Sequence, residues 1–398
     1  MGHLTQISMR QTYIINDNII TSLGFTTREN IESIRANVIG IRTTDDPLLY
    51  PRPVPLSLID SETLEKRFNA LCEQRKRPVA PDSFTRLEKL LITSMQEVVQ
   101  EGGFNPYHPK TLLILSTTKG NIDLLEERYK ARFNHKRLFL WELARVVQNF
   151  FGFINTPVII SNACISGVLA LIISSRYIQS GLYDDVVVAG GDIVSEFVIA
   201  GFQSFQALSP DPCKPFDQNR TGLSLGEAAG TIHLSAKEPV GPSPKIILAG
   251  GATTNDANHI SGPSRTGQEL SLAMDRALQQ AAIEASSLDY IAAHGTATAY
   301  NDEMEAKAIG LSKAEQVPVA SQKGYWGHTL GAAGIIESVV AVASMRNNQL
   351  YRSAGFETQG VTVPLNILTE HRDAEVDHVL KSASGFGGCN AAVVFNKI

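Results

Sequence analysis

Cysteine is scarce: four in 398 residues, Cys72, Cys164, Cys213 and Cys389, standing far apart with no CxxC pair and no histidine at metal-ligand spacing. That scarcity argues against a zinc site and a disulfide framework, and it fits reduced thiols in a cytoplasmic compartment. No apolar run approaches the ~18 residues a membrane span needs. The opening MGHLTQISMR lacks the apolar stretch of a secretory signal. Gln6 stands where a myristoylation signal requires Ser or Thr. Strong charge is missing too. The formal net charge of −5 exerts no overall pull toward nucleic acid or anionic lipid, so an acidic partner would need a local basic patch.

What is present is a balance of 43% hydrophobic and 19% charged residues, enough for one large core or several ordinary ones. Apolar runs predict strands at 12–15, 110–117, 157–160, 186–189, 246–251, 290–293 and 391–395. Asn16-Asp17-Asn18 is expected to stop the first, and Gly190-Gly191 to close the fourth. Helices are expected over 27–36, 86–100, 126–151, 266–285, 301–311 and 334–345, with an irregular, proline-rich segment over 41–83. Alternating strands and helices imply an α/β fold whose buried sheets are covered on both faces. Pro239, Gly241, Pro242 and Pro244 cluster at a natural divide, and VVVAGG at 186–191 is echoed by IILAGG at 246–251, a hint of two related halves.

The chain is organised around IISNACISGVLALIISS, residues 159–175, where a buried strand breaks and an apolar helix begins. Cys164 falls at that turn, where unpaired N–H groups and the helix dipole favour thiolate over thiol. A free cysteine is more often a small core hydrophobe, so the rest of the chain has to decide. AHGTAT brings His294 just after a predicted strand; QKGYWGHTLGAAG brings Lys323 and His328, with Glu337 on the helix beyond. GFGGCN, residues 385–390, allows a tight turn with inward N–H groups. A nucleophilic thiol, two imidazoles and a glycine turn able to offer an oxyanion donor make a set for acyl chemistry.

These motifs, with PFDQNRTGLSLGEAAG from Pro215, NDANH ending at His259, and Asp302 and Glu305 behind AHGTAT, resemble the β-ketoacyl-acyl carrier protein synthases of the condensing-enzyme family. The resemblance runs from about residue 10 to the C-terminus. It implies a thiolase-like duplicated α-β-α-β-α layered fold: an N-terminal half over 10–240 carrying the nucleophile and a C-terminal half over 241–398 carrying both histidines. It implies Cys164 as nucleophile, His294 and His328 as catalytic imidazoles, Lys323 paired with Glu337, and Phe386 as a gate whose N–H completes the oxyanion hole with that of Cys164. The implied reaction is decarboxylative condensation of a malonyl carrier thioester with an acyl group on Cys164, with no metal or organic cofactor. The implied partners are an acyl carrier protein, acyl- and malonyl-loaded, and a second subunit in a homo- or heteromeric dimer. Arg86, Lys89, Lys136 and Arg137 are candidates for the carrier's basic docking rim.

Ser384, Cys389, Ala299 and the Asn16–Asn18 stretch depart from the family pattern. The first two bear on the pocket mouth and tilt the reading toward a specialised polyene, pigment or polyketide pathway. Two alternatives stay open. One is a thiolase-type acyltransferase with Cys389 as base. The other is a subunit of a synthase/chain-length-factor heterodimer, although a non-catalytic subunit would lack the nucleophile.

Overall fold

In the computed structural model, which describes residues 10–75, 79–129, 132–257 and 262–398, most of the apolar runs join one sheet of eleven strands. In chain order the strands are β1 (Tyr13–Ile20), β2 (Arg42–Thr44), β3 (Val54–Ser57), β4 (Thr111–Ser116), β5 (Val158–Ile160), β6 (Asp185–Asp192), β7 (Leu225–Gly226) and β8 (Ala228–Ser235). There follow β9 (Ile246–Asn255), β10 (Tyr290–Ala292), β11 (Pro318–Ala320), β12 (Gln349–Leu350), β13 (Asn366–Ile367), β14 (Arg372–Asp373), β15 (His378–Gly385) and β16 (Cys389–Lys397). The helices are α1 (Thr27–Arg35), α2 (Ser61–Glu73), α3 (Arg86–Glu101), α4 (Leu140–Phe151), α5 (Ser166–Gln179), α6 (Glu196–Ser204), α7 (Gln268–Ala281), α8 (Ala299–Leu311), the single turn α9 (Lys323–Trp326) and α10 (Ala333–Asn347).

The strand order exposes a duplication. The first half reads β5-β4-β6-β8-β1 from the outer edge inward, and the second reads β11-β10-β15-β16-β9 with β13 added outside. In each half the outer three of these strands are parallel and the inner two alternate antiparallel. A short antiparallel ladder, Tyr13 to Ile247 and Ile14 to Ile246, welds the halves together. The VVVAGG and IILAGG echo is not the trace of this duplication. It joins β6, fourth strand of its half, to β9, first strand of the other.

Strands β4, β6 and β8 are buried along their whole length, as sheets covered on both faces require. Between the halves lie α5 and α10, both mostly buried. Their backbones approach so closely that a Cβ on Gly334 would sit 2.5 Å from the Val168 nitrogen, and one on Gly167 would sit 2.7 Å from that of Ile335. Only glycine permits that crossing.

Local differences from the sequence expectations have physical causes. Strand β1 runs on through Asn16–Asn18, with a bulge between Ile14 and Asn16. Asn18 turns inward and donates to the Phe25 carbonyl, which replaces the expected turn. The 41–83 stretch is only partly irregular, since it also holds β2, β3 and α2. Asp60 caps α2, and Leu64, Phe68 and Cys72 line its buried face among charged neighbours. Conversely, Glu127–Tyr129 and His135–Leu138 are 3-10 turns, and α4 begins only at Leu140. Strand β15, which the apolar pattern did not reveal, pairs with β16 on one side and β10 on the other.

Candidate active site

Each candidate side chain follows the carboxyl end of a strand: Cys164 after β5, His294 after β10, His328 after β11 and Phe386 after β15. Crevices outside the carboxyl ends of parallel strands are where open α/β sheets collect ligands. By the duplication, the Cys164 and His328 loops occupy equivalent positions, each leading into one of the crossed central helices. The Cys164 sulfur and ring nitrogens of His294 and His328 lie within 4.8 Å of one another.

Cys164 precedes α5 by two residues and is 7% exposed. Ala163 before it is held at φ +44°, a left-handed conformation unusual for a residue with a Cβ, which turns the chain sharply at the nucleophile. The helix dipole does not win in this environment. Burial, with Cys389 beside it, pushes the thiol up to about 12, against the expectation of a standing thiolate.

His294 is held from several sides. Lys323 Nζ donates to its carbonyl at 2.5 Å and to its Nδ1 at 3.3 Å, and to Glu337 Oε1 at 2.5 Å. From α8, Glu305 accepts the N–H groups of His294 (2.8 Å) and Gly295 (2.7 Å), and Asp302 accepts that of Thr296 (2.8 Å). An ammonium can only donate, so Nδ1 of His294 accepts and its ring hydrogen sits on Nε2. His328 reaches the same tautomer by another route, since the Leu330 N–H donates to its Nδ1 at 3.2 Å. Its Nε2 is buried and unpartnered among the described residues. Burial first, then the ammonium of Lys323, holds both imidazoles well below the ordinary 6.5, hence neutral.

The sulfur and two rings are spaced as metal ligands can be. With both Nδ1 atoms accepting hydrogen bonds, however, the Nε2 atoms carry hydrogens and offer no lone pair to a cation. The same arrangement suits two donors aimed at one anionic oxygen.

Phe386 begins the turn between β15 and β16, which closes through Gly387 (φ +86°) and Gly388 (φ +74°). The turn packs on the nucleophile: a Cβ on Gly385 would lie 3.0 Å from both the Cys164 nitrogen and the Cys389 sulfur. The Phe386 ring is 38% exposed and lies against Phe202 and Phe205, with centroids 5.7 and 5.1 Å apart. Cys389 Sγ donates to the Phe386 carbonyl at 3.4 Å, and Ser384 Oγ to Asn390 Oδ1 at 2.7 Å, so both departures from the family pattern brace this turn.

Two contributors escaped the sequence reading. Asp192 at the end of β6 accepts from Thr117 Oγ1 (2.8 Å) and the N–H groups of Thr118 and Gly331, tying three loops below the site. Lys381 in β15 is fully buried, with Nζ 2.8 Å from Glu337 Oε2. Its strand reads HVLKSASG, with no continuous apolar run, so no pattern marked it. Three of the proposed docking residues prove to be turned inward. Arg86 pairs with Glu227 at 2.7 Å, buried Lys89 with Glu65 at 2.6 Å, and Arg137 with buried Glu88. Lys136 stays exposed. His259 lies outside the described residues.

Residues 28–239 match the family described as Beta-ketoacyl synthase, N-terminal domain, and residues 246–357 match Beta-ketoacyl synthase, C-terminal domain. Among curated relatives, the chain is 34% identical over 266 residues to a "Putative polyketide beta-ketoacyl synthase 1" of Streptomyces halstedii, covering 63% of each chain. It is 32% identical over 248 residues to the "3-oxoacyl-[acyl-carrier-protein] synthase 2" of Staphylococcus aureus (strain COL), covering 59% of this chain and 60% of that one. The matches thus span about three fifths of those relatives' length. Among solved structures, a ketosynthase (ApeO) in complex with its chain length factor (ApeC) from Xenorhabdus doucetiae superposes with TM-score 0.85 at 24% identity over the whole of both chains. The ishigamide ketosynthase/chain length factor gives TM-score 0.85 at 21% identity, over 98% of this chain and 100% of that one. Those likenesses establish the shared ketosynthase fold, with its thiolase-like duplicated layers, and the two domain matches go further: this chain belongs to the beta-ketoacyl synthase family.

Proposed function

We propose that this chain is a β-ketoacyl-acyl carrier protein synthase, an acyltransferase that condenses a malonyl carrier thioester with an acyl group held on Cys164. One observation carries the reading: a thiol meets two neutral imidazoles that both present Nε2–H. In the first half-reaction the Cys164 sulfur attacks the acyl carrier thioester. A new C–S bond forms, the old one breaks, and the thiol proton leaves with the carrier's sulfur. The N–H groups of Cys164 and Phe386 stabilise the intervening oxyanion.

In the second half-reaction the malonyl thioester loses carbon dioxide, and the freed electron pair becomes an enolate whose oxygen accepts from His294 and His328. The enolate carbon attacks the acyl carbonyl and the bond to Cys164 breaks. A proton from solvent restores the thiol, and a β-ketoacyl carrier departs. Lys323, shared with Glu337, fixes the His294 tautomer. Phe386 gates the cysteine, and burial of the site keeps water from the acyl thioester and the enolate. No step needs a metal or an organic cofactor.

The two halves divide as 10–240 and 241–398, so the nucleophile comes from one and both imidazoles from the other. The partners are an acyl carrier protein and a second subunit, identical or of the chain-length-factor kind, in the cytoplasm. A thiolase reading would need Cys389 as a base. Its thiol instead donates to the Phe386 carbonyl, and burial pushes it up to about 11, the wrong direction for that task. The test is a mass spectrum after incubation with an acyl-loaded carrier. An acyl adduct is expected on the native chain and none on Cys164→Ala; an undiminished adduct on the variant would refute the assignment.

A further inference from the structure

The buried charge behind the imidazoles is larger than a Lys–Glu pair. Glu337 takes Lys323 on Oε1 at 2.5 Å and Lys381 on Oε2 at 2.8 Å, the second in ion-pair contact but off the hydrogen-bonding direction. All three groups are at most 3% exposed. Lys381 also donates to the carbonyl of Ala292, two residues before His294, at 3.2 Å, and to that of Ser382. The other acid nearby, Glu305, spends its oxygens on the N–H groups of His294 and Gly295 and on Ser382 Oγ, at 2.7 to 2.8 Å. The two ammoniums therefore share one carboxylate directly. A second fully buried lysine is expensive to desolvate, and burial lowers its own proton affinity. The cost calls for a compensating role.

We propose that Lys381 is a positioning residue of this site, whose ammonium shares Glu337 with Lys323 and so keeps His294 and His328 in the neutral, Nε2–H-donating form that decarboxylation needs. The charged and titratable groups facing the two rings are Lys323 and Glu337 from the second half's central segment, Lys381 from β15, Glu305 and Asp302 from α8, and the Cys164 thiol. Of these, Lys381 is the one whose removal takes away positive charge without breaking a direct bond to either ring. The sign follows. An ammonium repels a proton from a neighbouring imidazole, and it also neutralises the Glu337 charge that would attract one. Both effects hold the imidazoles below their ordinary range, as the burial of the rings already does. Without Lys381, both shift the imidazoles upward and the acid limb of decarboxylation moves to higher pH.

This inference rests on the condensing reaction proposed above, and the experiment separates the two. Carbon dioxide release from malonyl-pantetheine is followed against pH for the native protein, Lys381→Met and Lys381→Gln, alongside acyl adduct formation on Cys164. The native profile is expected to stay flat down to about pH 6, and the acid limb of both variants to rise by on the order of one pH unit, with acylation retained. Superimposable profiles would overturn the role of Lys381. Nitrogen NMR of labelled histidine in the native protein gives a reading that needs neither activity nor a stable variant: His294 and His328 titrating at the ordinary value would also overturn it. A native protein that neither acylates nor decarboxylates would instead sink the proposed function. The role of Lys381 would then be judged by whether His294 and His328 titrate higher by NMR in Lys381→Gln than in the native protein, equal values overturning it.

Discussion

His328 is the residue whose removal most cleanly separates the two half-reactions. Its Nε2 has no partner among the described residues, and in the proposed reaction it would take the oxygen that appears with the malonyl group. His328→Ala is expected to cut carbon dioxide release by about 10²–10³-fold, the usual loss for one oxyanion donor, while Cys164 still takes up acyl groups. Radiolabelled malonyl thioester measures the first and mass spectrometry the second. Because both rings are held neutral well below 6.5, lowering the pH from about 8 to about 6 should leave decarboxylation unchanged. A descending limb centred on the ordinary histidine value would contradict that. At this scale the sequence was most legible where chemistry uses rare residue types. Cys164, His294, His328 and the Lys323–Glu337 pair could all be named from motifs, and they meet in space. Lys381 and Asp192 could not, because a charged residue in a strand gives no sign of which buried partner it will find.

The crossed central helices carry the geometry at the next scale. Adding one methyl at Gly334 would press on the backbone of Gly167 and Val168, atoms that cannot rotate away. Gly334→Ala is expected to lower unfolding free energy by about 1–3 kcal/mol, as overpacking does, and to slow acylation by moving Cys164 relative to the imidazoles. Chemical denaturation measures the first effect and adduct formation rates the second. The same helices were readable because their apolar residues are nearly continuous. Helix α2 was not: its buried Leu64, Phe68 and Cys72 are spaced one turn apart but stand among charged residues after a proline-rich stretch. The 126–139 segment failed in the opposite way. It has helical composition, yet its apolar residues do not repeat on one face, and Glu127–Tyr129 and His135–Leu138 are 3-10 turns.

For the molecule as a whole, charge bears on how the proposed carrier protein would dock. Net charge of −5 repels an acidic partner, and Arg86 and Arg137 are spent on buried carboxylates while Lys89, itself buried, pairs with exposed Glu65. Exposed Lys136 is left to contribute. Lys136→Glu should weaken carrier affinity about two- to fivefold at low salt, with the difference vanishing as ionic strength shortens the Debye length. Titration calorimetry at two salt concentrations reads both.

The duplicated sheet was only half legible. Alternating elements announced an α/β chain, but the true repeat lies in strand order and direction, which no short stretch of letters records. The short ladder between Tyr13–Ile14 and Ile246–Ile247 also fixes where the chain's two contributions meet. Since sulfur and imidazoles arrive from opposite sides of that seam, a polypeptide severed near it would behave as two inert fragments. The proposed chemistry would return only on reassembly, so that recovered turnover would report folding.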